Sequence, residues 1–201
     1  IKMKKIIVTL VPSTLKESFK IKHQKNYIYR INGAHTDKKS LKTISRFVRE
    51  NIKNPKILID LPGNKIRTAN LNEPILVEAN KKFKLKSENT NFADFIKYVK
   101  SEQIIYADDS TLKFKVINFN KDEITLYSYS NGLLKNGKGL HIRGIHSQIP
   151  FFFKKDLELI KTANELGLTY VGLSFVRDNN DIDYAKKLID TNISILPKVE
   201  T

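Results

Sequence analysis

The 201-residue sequence contains no cysteine and no tryptophan, a single methionine, and only 8 glycines and 6 prolines. Without cysteine there is no disulfide scaffold, no thiolate zinc or iron–sulfur site and no cysteine nucleophile. No Gly-x-Gly-x-x-Gly or Walker-type loop occurs, and no Gly-x-Ser-x-Gly elbow points to a hydrolase. The longest apolar runs, such as Lys5–Val11, fall far short of the ~20 residues that span a bilayer. No basic start leads into an apolar stretch of ~7–15 residues, so no secretory signal is expected. No membrane partner is expected either, and a reducing, cytoplasmic compartment is the default. A chain that is 40% hydrophobic is not a disordered one.

Positive charge is abundant. The formal net charge is +15, and residues 1–53, with 14 basic and 3 acidic residues, hold +11 of it. Most of these charges are lysines on the polar side of a periodic pattern, which reads as a solvated face. A phosphate-bearing small substrate is also compatible with the excess, and nucleic acid is not an expected partner on charge alone.

Apolar runs alternate with amphipathic stretches. Lys5–Val11 is a continuous apolar run, as expected of a parallel strand buried on both faces. Asn26–Asn32 and Pro55–Leu61 read as second and third strands. Between them Leu41, Ile44, Phe47, Val48 and Ile52 recur at helical spacing, with Asp37 as the N-cap. From about Thr68 to Ser147 the texture changes to short alternating stretches (75–78, 82–85, 112–119, 123–129) between turn-rich segments, with a short helix over Ala93–Val99. The α/β rhythm then returns. Leu157, Ile160, Ala163 and Leu166 share a helical face ended by Gly167, Thr169–Phe175 is a fourth strand, Asp178–Asp190 a helix, and Ile193–Glu200 a fifth strand. The expected fold is α/β, with about five parallel strands and an inserted antiparallel β-domain; the divisions fall at 1–68, 69–145 and 146–201.

Polar residues gather at the carboxyl ends of these strands: Arg30 and Asn32, Asp60, Ser174 and Arg177, then Lys198 and Glu200. In parallel barrels the strand-to-helix loops open at that end and carry the site. Lys198 and Glu200, two apart, project from one face of a strand. They form either a plain salt bridge or a metal-binding carboxylate beside a charge-stabilising lysine, a pairing suited to phosphoryl transfer. His23, His141 and His146 show no ligand spacing.

Seven segments, in order, resemble the N-terminal half of pyruvate kinase. They are 5–12, Arg30-Ile31-Asn32-Gly33-Ala34-His35, Asp60-Leu61-Pro62-Gly63-Asn64-Lys65-Ile66-Arg67-Thr68, Asp108-Asp109-Ser110, Lys138-Gly139-Leu140-His141-Ile142-Arg143-Gly144, Ser174-Phe175-Val176-Arg177 and Pro197-Lys198-Val199-Glu200. The resemblance implies part of a TIM (β/α)8 barrel, with the inserted domain as a lid and the barrel cut off after its fifth strand. It implies transfer of a phosphoryl group from phosphoenolpyruvate to ADP, giving pyruvate and ATP with Mg2+, at a site completed beyond Thr201. It also implies a homo-oligomer in the full-length protein.

By the same resemblance Arg30 holds the transferring phosphate, Lys198 stabilises phosphoryl and enolate charge, and Glu200 ligates Mg2+. Arg67 and Lys138 serve the nucleotide, His35 sits in the substrate loop, and Asn32 and Asp60 frame a monovalent-cation pocket. Negative charge spreads over phosphoryl oxygens and an enolate, so preorganised cations must surround it. The departures are informative. Lys65 stands where the family has Glu, Leu61 for Thr, Pro62 for Lys and Ala34 for Ser; two cation ligands are lost and an ammonium gained. This resembles the potassium-independent branch, with Lys65 replacing K+. Val11 and Ser110 replace glycines, and Pro197 replaces Ser in what should be an interior strand, where it removes a ladder donor. The alternative is a truncated, non-catalytic homologue that acts as a binding or regulatory protein.

Overall fold

A computed structural model describes residues 4–11 and 23–198; Pro12, Val199 and Glu200 lie outside them. The chain divides into two compact units, one formed by residues 1–63 and 154–201, the other by residues 64–153.

The first unit is built on β1 (Ile6–Leu10), β2 (Tyr27–Asn32), β3 (Lys56–Asp60), β11 (Tyr170–Leu173) and β12 (Ser194–Pro197). All pair in parallel, in the order β1-β2-β3-β11-β12. That spatial order follows the sequence, as in a barrel wound in one direction. Helix α1 (Lys38–Asn51) joins β2 to β3, α2 (Lys154–Leu166) precedes β11, and α3 (Asn179–Leu188) joins β11 to β12. Asp37 caps α1 as expected, accepting from the Ser40 N–H at 2.7 Å. Asp178 caps α3 in the same way, through the N–H groups of Asn180 and Asp181. Helices α1 and α2 pack together, and Arg49 of α1 donates to the Leu166 carbonyl at 2.7 Å, satisfying an orphan acceptor at the end of α2.

The two faces of this sheet differ. Tyr29, Ile31, Ile57, Ile59, Val171 and Leu173 share one face and are all buried. The opposite face carries a smaller cluster, Ile28, Leu58 and Tyr170 with Leu196, which gives way to polar residues at the carboxyl ends. One expectation is corrected here. β1 is an edge strand and is not buried on both faces: Ile6 and Ile7 are 45% and 53% exposed, because the sheet continues on only one side of it among the described residues.

The second unit contains the sheet β10-β6-β7-β8-β5, antiparallel throughout, and a two-stranded ribbon β4-β9. Its strands are β4 (Ile75–Val77), β5 (Lys82–Lys86), β6 (Ile104–Ala107), β7 (Leu112–Phe119), β8 (Glu123–Ser128), β9 (Gly132–Leu134) and β10 (Leu140–Ile142). The helix expected over 93–99 is a 3-10 helix, Ala93–Tyr98. Period-2 alternation sends Leu112, Phe114 and Val116 of β7 and Ile124 and Leu126 of β8 into the core while Lys113, Lys115 and Thr125 point outward. Strands β6, β9 and β10 were not among the sequence expectations; each has only three or four residues, too few for a period to show. No described helix is long and apolar enough to cross a membrane.

The turn between β6 and β7 stores strain. Asp108, Asp109 and Ser110 have φ of 51°, 52° and 70°, the left-handed region that costs a side-chain-bearing residue roughly 1–2 kcal/mol. Ser110 stands where the related segments have glycine. Replacing Ser110 by Gly is expected to stabilise the protein by about 0.5–1 kcal/mol, after the glycine's extra unfolded-state entropy is subtracted. Thermal unfolding should therefore move up by about 2 °C; an unchanged or lower midpoint would contradict the strain argument.

Candidate active site

The parallel register builds a charged cluster. Thr9 pairs with Arg30, Arg30 with Leu58, and Asp60 with Gly172, so these residues lie on one face of the sheet. Gly172 pairs with Leu196, which puts Lys198, two residues on, at the same face. Asp60 is the centre of the cluster. Its Oδ2 accepts from Arg30 Nε at 2.8 Å and lies 2.6 Å from the Arg30 Nη2. Lys198 Nζ reaches Oδ2 at 3.2 Å and Oδ1 at 2.9 Å. Arg30 also donates to Thr9 Oγ1 at 3.1 Å. Asp60 is only 5% exposed, while Arg30 and Lys198 keep about a third of their side chains in solvent, 29% and 36%. One buried carboxylate thus holds two partly exposed cations in place, side by side on one face of the sheet.

Two glycines give Asp60 its room. A Cβ on Gly33 would lie 2.6 Å from the Asp60 carbonyl oxygen, and one on Gly172 would lie 3.0 Å from Asp60 Oδ1. Close backbone approach on both sides requires the missing side chains.

The loops beyond these strands are tied to α2 and to one another. The turn Gly33–His35 follows β2, and Asn32 caps it by accepting from the Ala34 N–H at 3.1 Å. Lys155, in the first turn of α2, donates to the Ala34 carbonyl at 2.9 Å, and burial pushes its ammonium below the usual lysine range against the pull of Asp156 and Asp37. Fully buried Asp156 accepts from the Gly63 N–H at 3.0 Å, and Ser174 donates to the Leu61 carbonyl at 2.6 Å. The loops after β2, β3 and β11 are therefore tied by hydrogen bonds within the first unit.

Among the residues expected from sequence, Arg30, Asp60 and Lys198 come together. Asp60 does so as the counter-ion of both cations. Asn32 is adjacent on β2, with its Oδ1 engaged in the turn, and His35 is exposed at the end of that turn. Glu200 lies outside the described residues. Arg67, Lys138 and Lys65 belong to the second unit. There Arg67 donates to the Gly137 carbonyl at 3.2 Å and Lys138 pairs with Asp108 at 2.6 Å. Lys65 runs along Gly139, where a Cβ would meet its Cε at 2.8 Å, close to His141. Burial, then the charge of Lys65, lowers the affinity of His141 for a proton against the opposing pull of Asp109.

Pro197 is reconciled by the register. Ser194 and Lys198 donate toward β11 through their N–H groups, to Thr169 and Leu173. By alternation the proline nitrogen points away from β11, where its missing donor interrupts no ladder bond among the described residues. Sequence reasoning missed Thr9, Lys155 and Asp156. Asp156 reads as an ordinary charge in Lys154-Lys155-Asp156-Leu157-Glu158, and only the fold brings the Gly63 amide to it.

Among the described residues no group of three or more His, Cys, Asp or Glu side chains could hold a metal ion. The cluster is a cationic pair around an already neutralised carboxylate, so its described donors fit an anion and do not by themselves fit Mg2+.

A parallel sheet wound in sequence order, with an antiparallel unit spliced in after its third strand, defines part of an α/β barrel with an inserted β-domain. Comparison with known proteins gives the family. The model of the family described as "Pyruvate kinase, barrel domain" matches residues 1–201, and the chain belongs to the pyruvate kinase family. It is 26% identical to plastidial pyruvate kinase 2 of Arabidopsis thaliana, over 98% of this chain and 37% of that protein. It is 27% identical to pyruvate kinase of Staphylococcus saprophyticus, over 98% and 37%. The crystal structure of Cryptosporidium parvum pyruvate kinase superimposes with a TM-score of 0.84 at 22% identity, covering 98% of this chain and 47% of that one. The chain thus spans less than half the length of these relatives, and its fold is that of the barrel with its inserted β-domain.

Proposed function

We propose that the chain is the barrel and lid portion of an enzyme that transfers the phosphoryl group of phosphoenolpyruvate to ADP, giving pyruvate and ATP, in the cytoplasm and as part of a homo-oligomer. The observation that carries this reading is the convergence of Arg30 and Lys198 on buried Asp60. Held by one carboxylate, the two cations are preorganised side by side, which is how such sites stabilise spread negative charge. In this reading Arg30 binds the transferring group, and Lys198 stabilises the charge that develops on its oxygens and on the enolate. Asp60 positions both, and Thr9 holds Arg30. Arg67 and Lys138 serve the nucleotide, and His35 lies in the substrate loop. Mg2+, held through Glu200, would supply Lewis-acid stabilisation of the substrate oxygens.

Potassium is not required in this reading. Asn32 and Asp60 would frame the monovalent-cation pocket and Lys65 would supply the positive charge in its place. Ala34 and Leu61, which carry no side-chain oxygen, support this. Pyruvate formation by the complete natural polypeptide, assayed with Mg2+ in K+-free buffer, is the test. We expect turnover that changes less than about two-fold when K+ is added. Turnover only with K+ would remove the role of Lys65. Binding of Mg2+ and phosphoenolpyruvate without any pyruvate would replace the enzyme by a non-catalytic homologue.

A further inference from the structure

The second unit presents a further surface, the outward face of its five-stranded sheet. There His141 of β10 pairs with Tyr106 of β6, and Tyr106 with Lys113 of β7. Tyr129, just past β8, donates its N–H to the Lys113 carbonyl. Lys113 Nζ lies 5.9 Å from the Tyr106 ring centre and 5.3 Å from that of Tyr129. The Tyr127 ring stands edge-on to Tyr129, centres 5.2 Å apart. Tyr106 and Tyr129 are 39% and 45% exposed. The next row places Lys115 and Lys82 on either side of Tyr127. At the Tyr106 end the sheet borders an open cavity of about 670 Å³ lined by Gln103, Tyr106, His141 and Arg143.

The face is cationic as well as aromatic. Lys84, Lys86 and Lys115 pair with Glu123, Glu88 and Glu102, whereas Lys82, Lys113 and Arg143 have no acidic partner within ion-pair distance among the described residues. We propose that this face binds single-stranded nucleic acid, with Tyr106 and Tyr129 as stacking platforms for bases and Lys82, Lys113 and Arg143 along the phosphates. Exposed rings spaced across an antiparallel sheet and separated by cations are the arrangement by which sheets hold unpaired bases. A duplex keeps its base faces stacked and cannot use the rings, and an acidic protein would use the cations alone. Net charge could not reveal this, because it carries no information on which rings share a face with which lysines.

The test is fluorescence anisotropy of a labelled oligothymidylate of about 12 nucleotides with the complete polypeptide at ~50 mM and ~200 mM salt. Saturable binding is expected, weakened about ten-fold by Tyr106→Ala and again by Tyr129→Ala, and unchanged by Tyr106→Phe. Lys113→Gln should flatten the salt slope by about 0.7. An early-melting alanine variant is replaced by Tyr106→Leu, which fills space without a π-face. The proposal fails if no saturable binding occurs at low salt. It also fails if the tyrosine variants bind like the parent, or if a duplex or heparin competes as well as the single strand, since charge alone would then explain the affinity.

Discussion

Replacing Lys198 by Met in the complete polypeptide is expected to abolish measurable pyruvate formation, a loss on the order of 10³-fold or more in kcat. The side-chain volumes are similar, but the ammonium to which the proposed function assigns the developing oxygen charge is gone. The loss should fall on kcat and much less on the KM for phosphoenolpyruvate, because Arg30, the proposed binder of the ground-state phosphate, retains its bonds to Asp60. A ten-fold loss confined to KM would assign Lys198 to binding alone. Full retained activity would remove it from the reaction, and with it the proposed function. Folding should survive, since Lys198 follows the last residue of β12 and keeps about a third of its side chain in solvent.

Replacing Asp60 by Ala is expected to damage both fold and activity. The substitution leaves Arg30 and Lys198 facing each other across a space with no counter-charge. Removing one partner of a buried pair costs roughly 3–5 kcal/mol, and the partial exposure of both cations places the expectation nearer 2–3 kcal/mol. For a protein of this size that lowers the unfolding midpoint by about 5–10 °C. Asp60→Asn keeps an acceptor for Arg30 in the same volume and should lose less stability than Asp60→Ala. Its activity should still fall, because the charge that holds both cations is absent. Differential scanning calorimetry of the two variants checks the order. Equal midpoints for Asp60→Ala and the parent would mean that the cations do not depend on Asp60 for their placement.

Much of this architecture was legible along the chain. The apolar runs at 5–11, 26–32 and 55–61 correspond to β1, β2 and β3 within a residue or two, and Asp37, Gly167 and Asp178 punctuate the helices where their chemistry predicts. Such signals are local: a period, a cap, a turn residue. Burial was less legible. The run at β1 looks identical whether its neighbours cover one edge or two, so the exposure of Ile6 and Ile7 could only be found in space. The short strands β6, β9 and β10 failed to show because three or four residues cannot display a period.

The candidate site divides in the same way. Residue types and order in seven segments carried the family resemblance, and those at 30–35, 60–68 and 197–200 nominated Arg30, Asp60 and Lys198, since a charge at the end of a strand is visible in one dimension. Pairing was decided by tertiary structure. Asp60 was nominated for a cation pocket; that the register of four parallel strands also makes it the shared counter-ion of residues 30 positions before it and 138 after it is visible only in space. The room it occupies depends on Gly33 and Gly172, and its loops on Lys155 and Asp156. Sequence periodicity specifies which face a side chain joins. Which other side chains share that face follows from strand order and register, and those depend on how the whole core packs.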